Sequence, residues 1–350
     1  MTEHSIRSVS QPNCPLCGAA GRMLYADLRD RSFAAPGQWG FRRCPENACG
    51  LVWLDPQPLP EDIGLAYAGY YTHAQPEPGA APLRDICWAI WRAYLGKRFG
   101  YRQGVGPAWR KWLAPLARLH PGGRDELDAA AMYLPAPGGP ARVLDVGCGS
   151  GVALARMREL GWQVQGVEVD PGGVEAARAR GVPVCSGRLE DQQFPEASFD
   201  AVHSAHVLEH VHDPSGLVRE CSRVLKPGGL LVLLTPNPDS WGHGLFRSAW
   251  LNLDPPRHLF LFTAANLRRL AGDAGLEVTA LRSTPRSAWV YGALSRCIRR
   301  TGRGEMASLG QPANLAYGMF YQMRQRLVLR RQALAGDEWL LMARKPWPPE

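Results

Sequence analysis

The stretch VLDVGCGSG, Val143 to Gly151, decides the fold. Val143 to Val146 reads as a buried strand holding one acid, and Gly147, Gly149 and Gly151 follow it directly. A strand that turns into a helix around a ligand needs residues without a Cβ, because backbone and ligand approach closely and some φ values are positive. The helix that follows Gly151 then offers free N–H groups and a partial positive charge to an anionic group. A phosphate cradle and a carboxylate cradle share that physics, and the spacing begins to separate them. Here it is G-x-G-x-G, whereas the dinucleotide fingerprint is G-x-G-x-x-G. Glu168, about twenty residues on, ends the next strand where a carboxylate can accept both ribose hydroxyls, so it indicates adenosine under either reading.

Outward from this turn, short apolar strands alternate with helical stretches. Strands are expected at Val143–Val146, Val164–Glu168, Val184–Ser186, Ala201–Ser204, Leu230–Thr235, Glu277–Leu281 and Glu338–Ala343. Helices are expected near Gly151–Leu160, Gly172–Arg180, Pro214–Val224 and Ala264–Ala274. This alternation predicts an α/β chain with a doubly wound, seven-stranded, mostly parallel sheet.

Two further stretches, GRLEDQQFPEASFDAVHSAHVLEHVHDP (Gly187 to Pro214) and RVLKPGGLLVLLTPN (Arg223 to Asn237), carry a resemblance. With the D-x-G-x-G-x-G loop and the LKPGG turn in order, 141–282 and the last strand resemble the class I S-adenosylmethionine-dependent methyltransferases. The nearest group is the one that contains the ubiquinone-pathway O-methyltransferases. The resemblance implies a Rossmann-like methyltransferase fold and S-adenosyl-L-methionine as cofactor. It also implies that Asp145, Gly147 and Gly149, in a loop that includes Cys148 and Gly151, hold the methionine end. Glu168 would take the ribose diol, and Leu189, with Glu190 and Asp191, would border the adenine.

Methyl transfer from a sulfonium is largely a matter of positioning, and a base is needed only where the acceptor must lose a proton. SAHVLEHVHDP follows the fourth strand, at the carboxyl edge where ligands bind in such sheets. On a helix His206, Glu209 and His210 would share one face. Three roles stay open there: hydrogen bonding to loop backbone, general-base catalysis by His210 or His206, or a divalent metal held by all three. Ubiquinone-pathway enzymes carry E-x-x-E-H at this place; His206 replaces the first Glu and shifts the preference away from hard cations. A second cluster, Thr235 to Thr263, holds Trp241, His243, Trp250, Arg257 and His258. Trp250 and Phe260 read as core, and His258 and Arg257 as residues that touch substrate or close the site.

CPLCG (Cys14, Cys17) and CPENACG (Cys44, Cys49) are spaced as two knuckles of a four-thiolate structural zinc site. A small ribbon of that kind draws its folding energy from the metal. The other five of the nine cysteines are scattered and read as core thiols.

The chain of 350 residues has a net charge of +8, and the charge is unevenly placed. Residues 84–124 hold nine basic residues and one acid, 283–336 nine Arg and one Glu, while 141–282 is slightly acidic. The expected organisation is a zinc-ribbon-like module over 1–71, a linker and basic aromatic helical cap over 72–140, and a catalytic domain over 141–350 with a lid insertion at 283–336. The cap interleaves Trp88, Trp91, Tyr94, Trp109 and Trp112 with basic residues. That mix suits a helical cap, a peripheral membrane contact shared with 283–336, or, less readily, nucleic acid. No export signal and no membrane-spanning run is visible, so the expectation is a cytoplasmic chain that can also sit at the inner face of the membrane. The favoured activity is O-methylation of a small or lipid-linked metabolite. Its alternatives are N- or C-methylation of a sugar nucleotide or similar anionic metabolite, and a zinc-ribbon nucleic-acid binder with a weak methyltransferase domain.

Overall fold

The structure is a computed structural model that describes residues 5–67, 81–102, 112, 114–117 and 123–348. Its amino-terminal part contains β1 (Ser8–Val9), β2 (Arg22–Leu28), β3 (Trp39–Arg43), β4 (Val52–Asp55) and β5 (Gln57–Pro58). Two helices follow, α1 (Ala81–Phe99) and α2 (Gly123–Ala129). The alternating region then runs β6 (Arg142–Val146), α3 (Val152–Glu159), β7 (Gln163–Glu168), α4 (Pro171–Ala179), β8 (Val184–Ser186), β9 (Phe199–Ala205), α5 (Pro214–Val224) and β10 (Leu225–Pro236). It closes with α6 (Trp241–Phe246), β11 (Phe260–Leu261), α7 (Ala264–Asp273), β12 (Glu277–Thr284), α8 (Ala288–Thr301), α9 (Pro312–Leu329) and β13 (Glu338–Arg344).

The main sheet has seven strands in the order β12-β13-β10-β9-β6-β7-β8, with only β13 antiparallel to its neighbours. This is the expected doubly wound sheet. Both of its faces are covered, which is why its strands read as near-continuous apolar runs. Along β10, Leu231 and Leu233 join one core while Val232 and Leu234 join the other, as the two-residue period of a strand demands. Helices start where the chemistry predicts. Asp170 caps α4 and Asp213 caps α5, each just before a proline, and Thr263 with Asn266 forms a capping box on α7.

Trp91 and Tyr94 of α1 pack on the α3 face of the sheet, beside Leu154 and Met157. Their polar ends are held too: Trp91 Nε1 donates to the Leu127 carbonyl and the Tyr94 hydroxyl to Asp128. At the start of the linker and cap expected over 72–140, residues 72–80 lie outside the described residues, and Ala81 and Pro82 open α1. Trp109 and the side chain of Trp88 lie outside the described residues.

The amino-terminal strands share a core with the main sheet. β11 from the distant end of the chain pairs with β4, completing a four-stranded sheet β11-β4-β3-β2. Phe41, Trp53, Leu259 and Phe262 are fully buried in one cluster with residues of β10 and α5. Arg257 locks this junction. Its guanidinium is fully buried, and its Nη atoms reach the two carboxylate oxygens of Asp30 at 2.7 and 2.9 Å. Its Nε and Nη2 reach Asp254 at 2.9 and 2.6 Å, and Nη1 also donates to the Ala66 carbonyl. All five N–H groups are used. The expectation that Arg257 touches substrate is therefore corrected: it is an internal clamp between the two parts of the chain.

Removing one partner of a buried ion pair leaves a charge without compensation. Asp30→Ala should lower stability by about 3–5 kcal/mol, read as a shift of the denaturant midpoint. A loss near zero would mean that Asp254 alone satisfies the guanidinium.

Candidate functional site

The turn after β6 has the geometry its glycines imply. Gly147, Gly149 and Gly151 adopt φ values of 75°, 52° and 72°. Open space lies where a Cβ of Gly149 would stand, as a ligand cradle requires. A Cβ on Gly147, by contrast, would come within 2.3 Å of Val207 Cγ2. That contact seats the turn directly against the segment after β9, so the two motifs read separately in the sequence form one place.

Glu168 is buried at the end of β7, where one carboxylate oxygen accepts from Gly149 N at 2.7 Å and the other from Asp170 N at 2.9 Å. Each oxygen keeps a lone pair for a further donor such as a ribose hydroxyl. Asp145 is buried in β6 and accepts from His203 Nδ1 at 2.7 Å, its parallel neighbour on β9. Leu189 is buried in the main core, so only its backbone can border a ligand, while Glu190 is exposed in a short helical turn. At Cys148 only the backbone is placed to meet a ligand. Its thiol packs inward against Gly166 of β7, and burial raises its pKa.

After β9 the chain does not continue as a helix, which corrects the shared-face arrangement. His206 has φ 56° and only Leu208–His210 forms a single 3-10 turn. The left-handed residue turns His206 towards the sheet. There its Nδ1 meets Glu209 Oε1 at 3.1 Å and its Nε2 meets Glu338 Oε1 at 2.8 Å. Burial works against a charge on His206, but Glu338 and Glu209 together outweigh it and raise its pKa to about 9. At neutral pH His206 is a cation between two carboxylates, without a lone pair to act as a base.

Glu338 is the residue that sequence reasoning passed over. It is fully buried at the start of β13, and because that strand runs antiparallel its first residues lie opposite Pro236, where the parallel strands end. Arg286 Nε donates to it at 2.9 Å, and the Tyr291 hydroxyl donates to it as well. Arg286 Nη2 also donates to Glu338 Oε1 at 2.9 Å and lies within hydrogen-bond distance of His206 Nε2, at 2.8 Å. The available signal was an acid placed directly before the apolar run WLLMA of that strand.

The other face of Glu209 meets His210 and His258. One ligand-type atom from each of the three lies within 4.8 Å of the others. His258 Nδ1 donates to the Asn252 carbonyl at 2.7 Å, and His210 Nδ1 faces the Arg257 carbonyl at 3.1 Å. A carbonyl can only accept, so Nδ1 is the donating atom in both contacts and Nε2 is the atom each ring can turn to a ligand. The Tyr67 hydroxyl lies 2.8 Å from the same His210 nitrogen. Burial, then the His258 ring, lowers the His210 pKa to about 4, so it is neutral at pH 7. The remaining oxygen of Glu209 accepts from the Thr235 hydroxyl at 2.9 Å. The carboxylate and the two imidazoles thus form a set that can hold a cation or a polar acceptor group, with His258 in the place expected of His206. His243 and Trp241 take no part: His243 bonds Tyr25 and the Pro238 carbonyl, and Trp241 stacks on Tyr321.

In the amino-terminal part, Cys14, Cys17, Cys44 and Cys49 bring four sulfur atoms within 4.8 Å of one another. Cys14 and Cys49 sulfurs are 3.7 Å apart and Cys17 and Cys44 sulfurs 3.4 Å. Four thiolates around tetrahedral zinc stand about 3.8 Å apart, from Zn–S bonds of about 2.3 Å, so this set fits that ion.

Residues 110–281 match a family described as a methyltransferase domain. A "probable S-adenosylmethionine-dependent methyltransferase" of Mycolicibacterium smegmatis is 37% identical over 138 residues, 39% of this chain and 52% of that protein. A ubiquinone biosynthesis O-methyltransferase of Xanthomonas oryzae pv. oryzae is 42% identical over 130 residues, 35% of this chain and 52% of that protein. The chain thus spans about half the length of these relatives. An S-adenosylmethionine-dependent methyltransferase structure from Mesorhizobium loti aligns with a TM-score of 0.44 at 20% identity, over 63% of this chain and 97% of that one. Residues 110–281 thus match a methyltransferase domain, and the proteins this chain is similar to include S-adenosylmethionine-dependent methyltransferases.

Proposed function

We propose that this chain methylates an oxygen atom of a small or lipid-linked acceptor. The observation that carries the reading is the contact between Gly147 and Val207, which sets Glu209, His210 and His258 beside the glycine turn. On this reading the turn and Asp145 receive the methionine end of S-adenosylmethionine, Glu168 its ribose and the backbone at Leu189 and Glu190 its adenine. When bound, the sulfonium supplies the methyl group. The chain's own work is then to align an acceptor hydroxyl and to deal with its proton.

His206 cannot take that proton at neutral pH because it already carries two. His210 and His258 present lone pairs next to the Glu209 carboxylate, and two imidazoles with one carboxylate suit a borderline divalent cation better than magnesium. A cation held there would lower the pKa of an acceptor hydroxyl. The four amino-terminal thiolates would hold a separate, structural zinc, whose role is to fix the two knuckles against α7. Thr263 and Asn266 of its capping box donate to the Cys49 carbonyl, so metal and helix start are linked through one residue.

Purified protein with methyl-labelled cofactor, offered separated lipid, small-metabolite and RNA fractions, tests the acceptor class. Label in the first two supports this reading, and label in RNA alone overturns it. Glu168→Ala should weaken cofactor binding by about tenfold or more, measured by calorimetry, because two charge-assisted hydrogen bonds are lost with the ribose contact.

His210→Ala and His258→Ala should each lower kcat by about 100-fold while cofactor affinity changes by no more than about twofold. Equal loss of both quantities would mean that these rings only support the loop. Elemental analysis separates the two metal sites: Cys14→Ser with Cys49→Ser should remove one zinc per chain, and His258→Ala should leave that zinc in place.

A further inference from the structure

The helix α9 is inverted. Asn314, Gly318, Tyr321, Gln322 and Gln325 face the protein and are buried. On the opposite side, Ala316, Phe320, Met323 and Leu327 follow the spacing of one helical stripe and face solvent, with Phe320, Met323 and Leu327 58%, 57% and 50% exposed. An ordinary surface helix has these faces the other way round. Met306 before the helix and Leu334 after it are also exposed apolar residues, so the apolar surface extends past both ends.

The charge around the stripe is of one sign. α9 contains no acid, Arg324, Arg330 and Arg331 are exposed, and Arg330 continues the stripe itself. At the other end Arg299, Arg300 and Arg303 are exposed on and just after α8, whose Arg296 donates to the Ala313 carbonyl at the start of α9. Glu305 is the one acid in 283–336 and lies against Arg303.

We infer that α9 docks this chain on an anionic bilayer, lying in the interface with Ala316, Phe320, Met323 and Leu327 turned into it and the flanking arginines on the lipid headgroups. A helix of 18 residues is about 27 Å long and gives a contact of useful size. The apolar stripe supplies burial and the arginines supply attraction to negative headgroups, the two components interfacial helices require. No helix among the described residues is long and apolar enough to cross a membrane, so the contact is peripheral. Charge also selects this occupant over a second copy. An isologous dimer through α9 would bring arginine-rich ends against arginine-rich ends, whichever way the helices ran. The inference does not depend on which acceptor is methylated.

The test is co-sedimentation of the full chain with vesicles of phosphatidylcholine, with and without phosphatidylglycerol. Binding should require phosphatidylglycerol and fall as salt is raised, since headgroup attraction is screened within about 8 Å at physiological ionic strength. Phe320→Ser with Met323→Ser should weaken binding by about tenfold or more, with the thermal midpoint and cofactor affinity unchanged because both residues are exposed. Arg324→Gln with Arg330→Gln should weaken it and flatten its salt dependence. Absence of binding at low salt, or full binding by the Phe320/Met323 variant, overturns the inference. So does a concentration-dependent dimer that the same variant abolishes, because α9 would then be a protein interface.

Discussion

Two fully buried carboxylates, Glu209 and Glu338, determine how the carboxyl edge of the sheet is built. Neither could remain ionised there alone, because an uncompensated buried charge costs several kcal/mol. His206 lies between them, and Arg286 and Tyr291 close the group from the side of α8. The consequences are structural as well as electrostatic. His206 must take a left-handed backbone to reach both acids, and β13 must run antiparallel to deliver Glu338 to this edge. The start of α8 must also lie over the site. A charge-neutral arrangement of two acids, one imidazolium and one guanidinium is what makes the edge a fixed surface against which the glycine turn can rest.

That dependence explains which parts were legible in the sequence. The turn from Val143 to Gly151, the ribose acid Glu168 and the strand–helix alternation are local patterns, each set by neighbours within a few residues. All seven strands of the main sheet appear where the alternation places them. Partners separated by long stretches of chain were not legible. Glu338 meets His206 across 132 positions and Asp30 meets Arg257 across 227. Spacing carries no trace of such pairs. The triplet His206, Glu209 and His210 failed as a shared face because one residue with positive φ undid the helical period. His258 moved into that place through the loop after β10, whose course only tertiary packing decides.

The amino-terminal module shows the same limit on a larger scale. Its cysteine spacing was readable, and four sulfurs do converge. Its lack of independence was not readable, because the strand that completes its sheet is β11, two residues long and some two hundred positions away. A ribbon with little core of its own is stabilised here by a shared interior and by the Arg257 clamp, so metal is not the only source of its order. The clamp also borders the site. The Arg257 carbonyl orients His210 while its guanidinium holds Asp30, so a disturbance of the module's seat reaches an imidazole of the site through one residue.

The inversion of α9 follows from the same buried network. Its inner face is polar because it has polar work inside the protein. Gln322 accepts from Trp289 N and donates to the Pro285 carbonyl, holding the start of α8. Tyr321 and Gln325 both donate to Asp337, the residue before Glu338. Gly318 allows the two helices to approach, since a Cβ there would stand 2.5 Å from the Trp289 carbonyl oxygen. Apart from Tyr321, whose ring stacks on Trp241 in the main core, the buried residues of the inner face are glycine or make hydrogen bonds. Its phenylalanine, methionine and leucine side chains therefore stand outside for a reason unrelated to internal packing. Tyr321, Gln322 and Gln325 thus tie α9 to the start of α8 and to Asp337, next to the residues that hold Glu338.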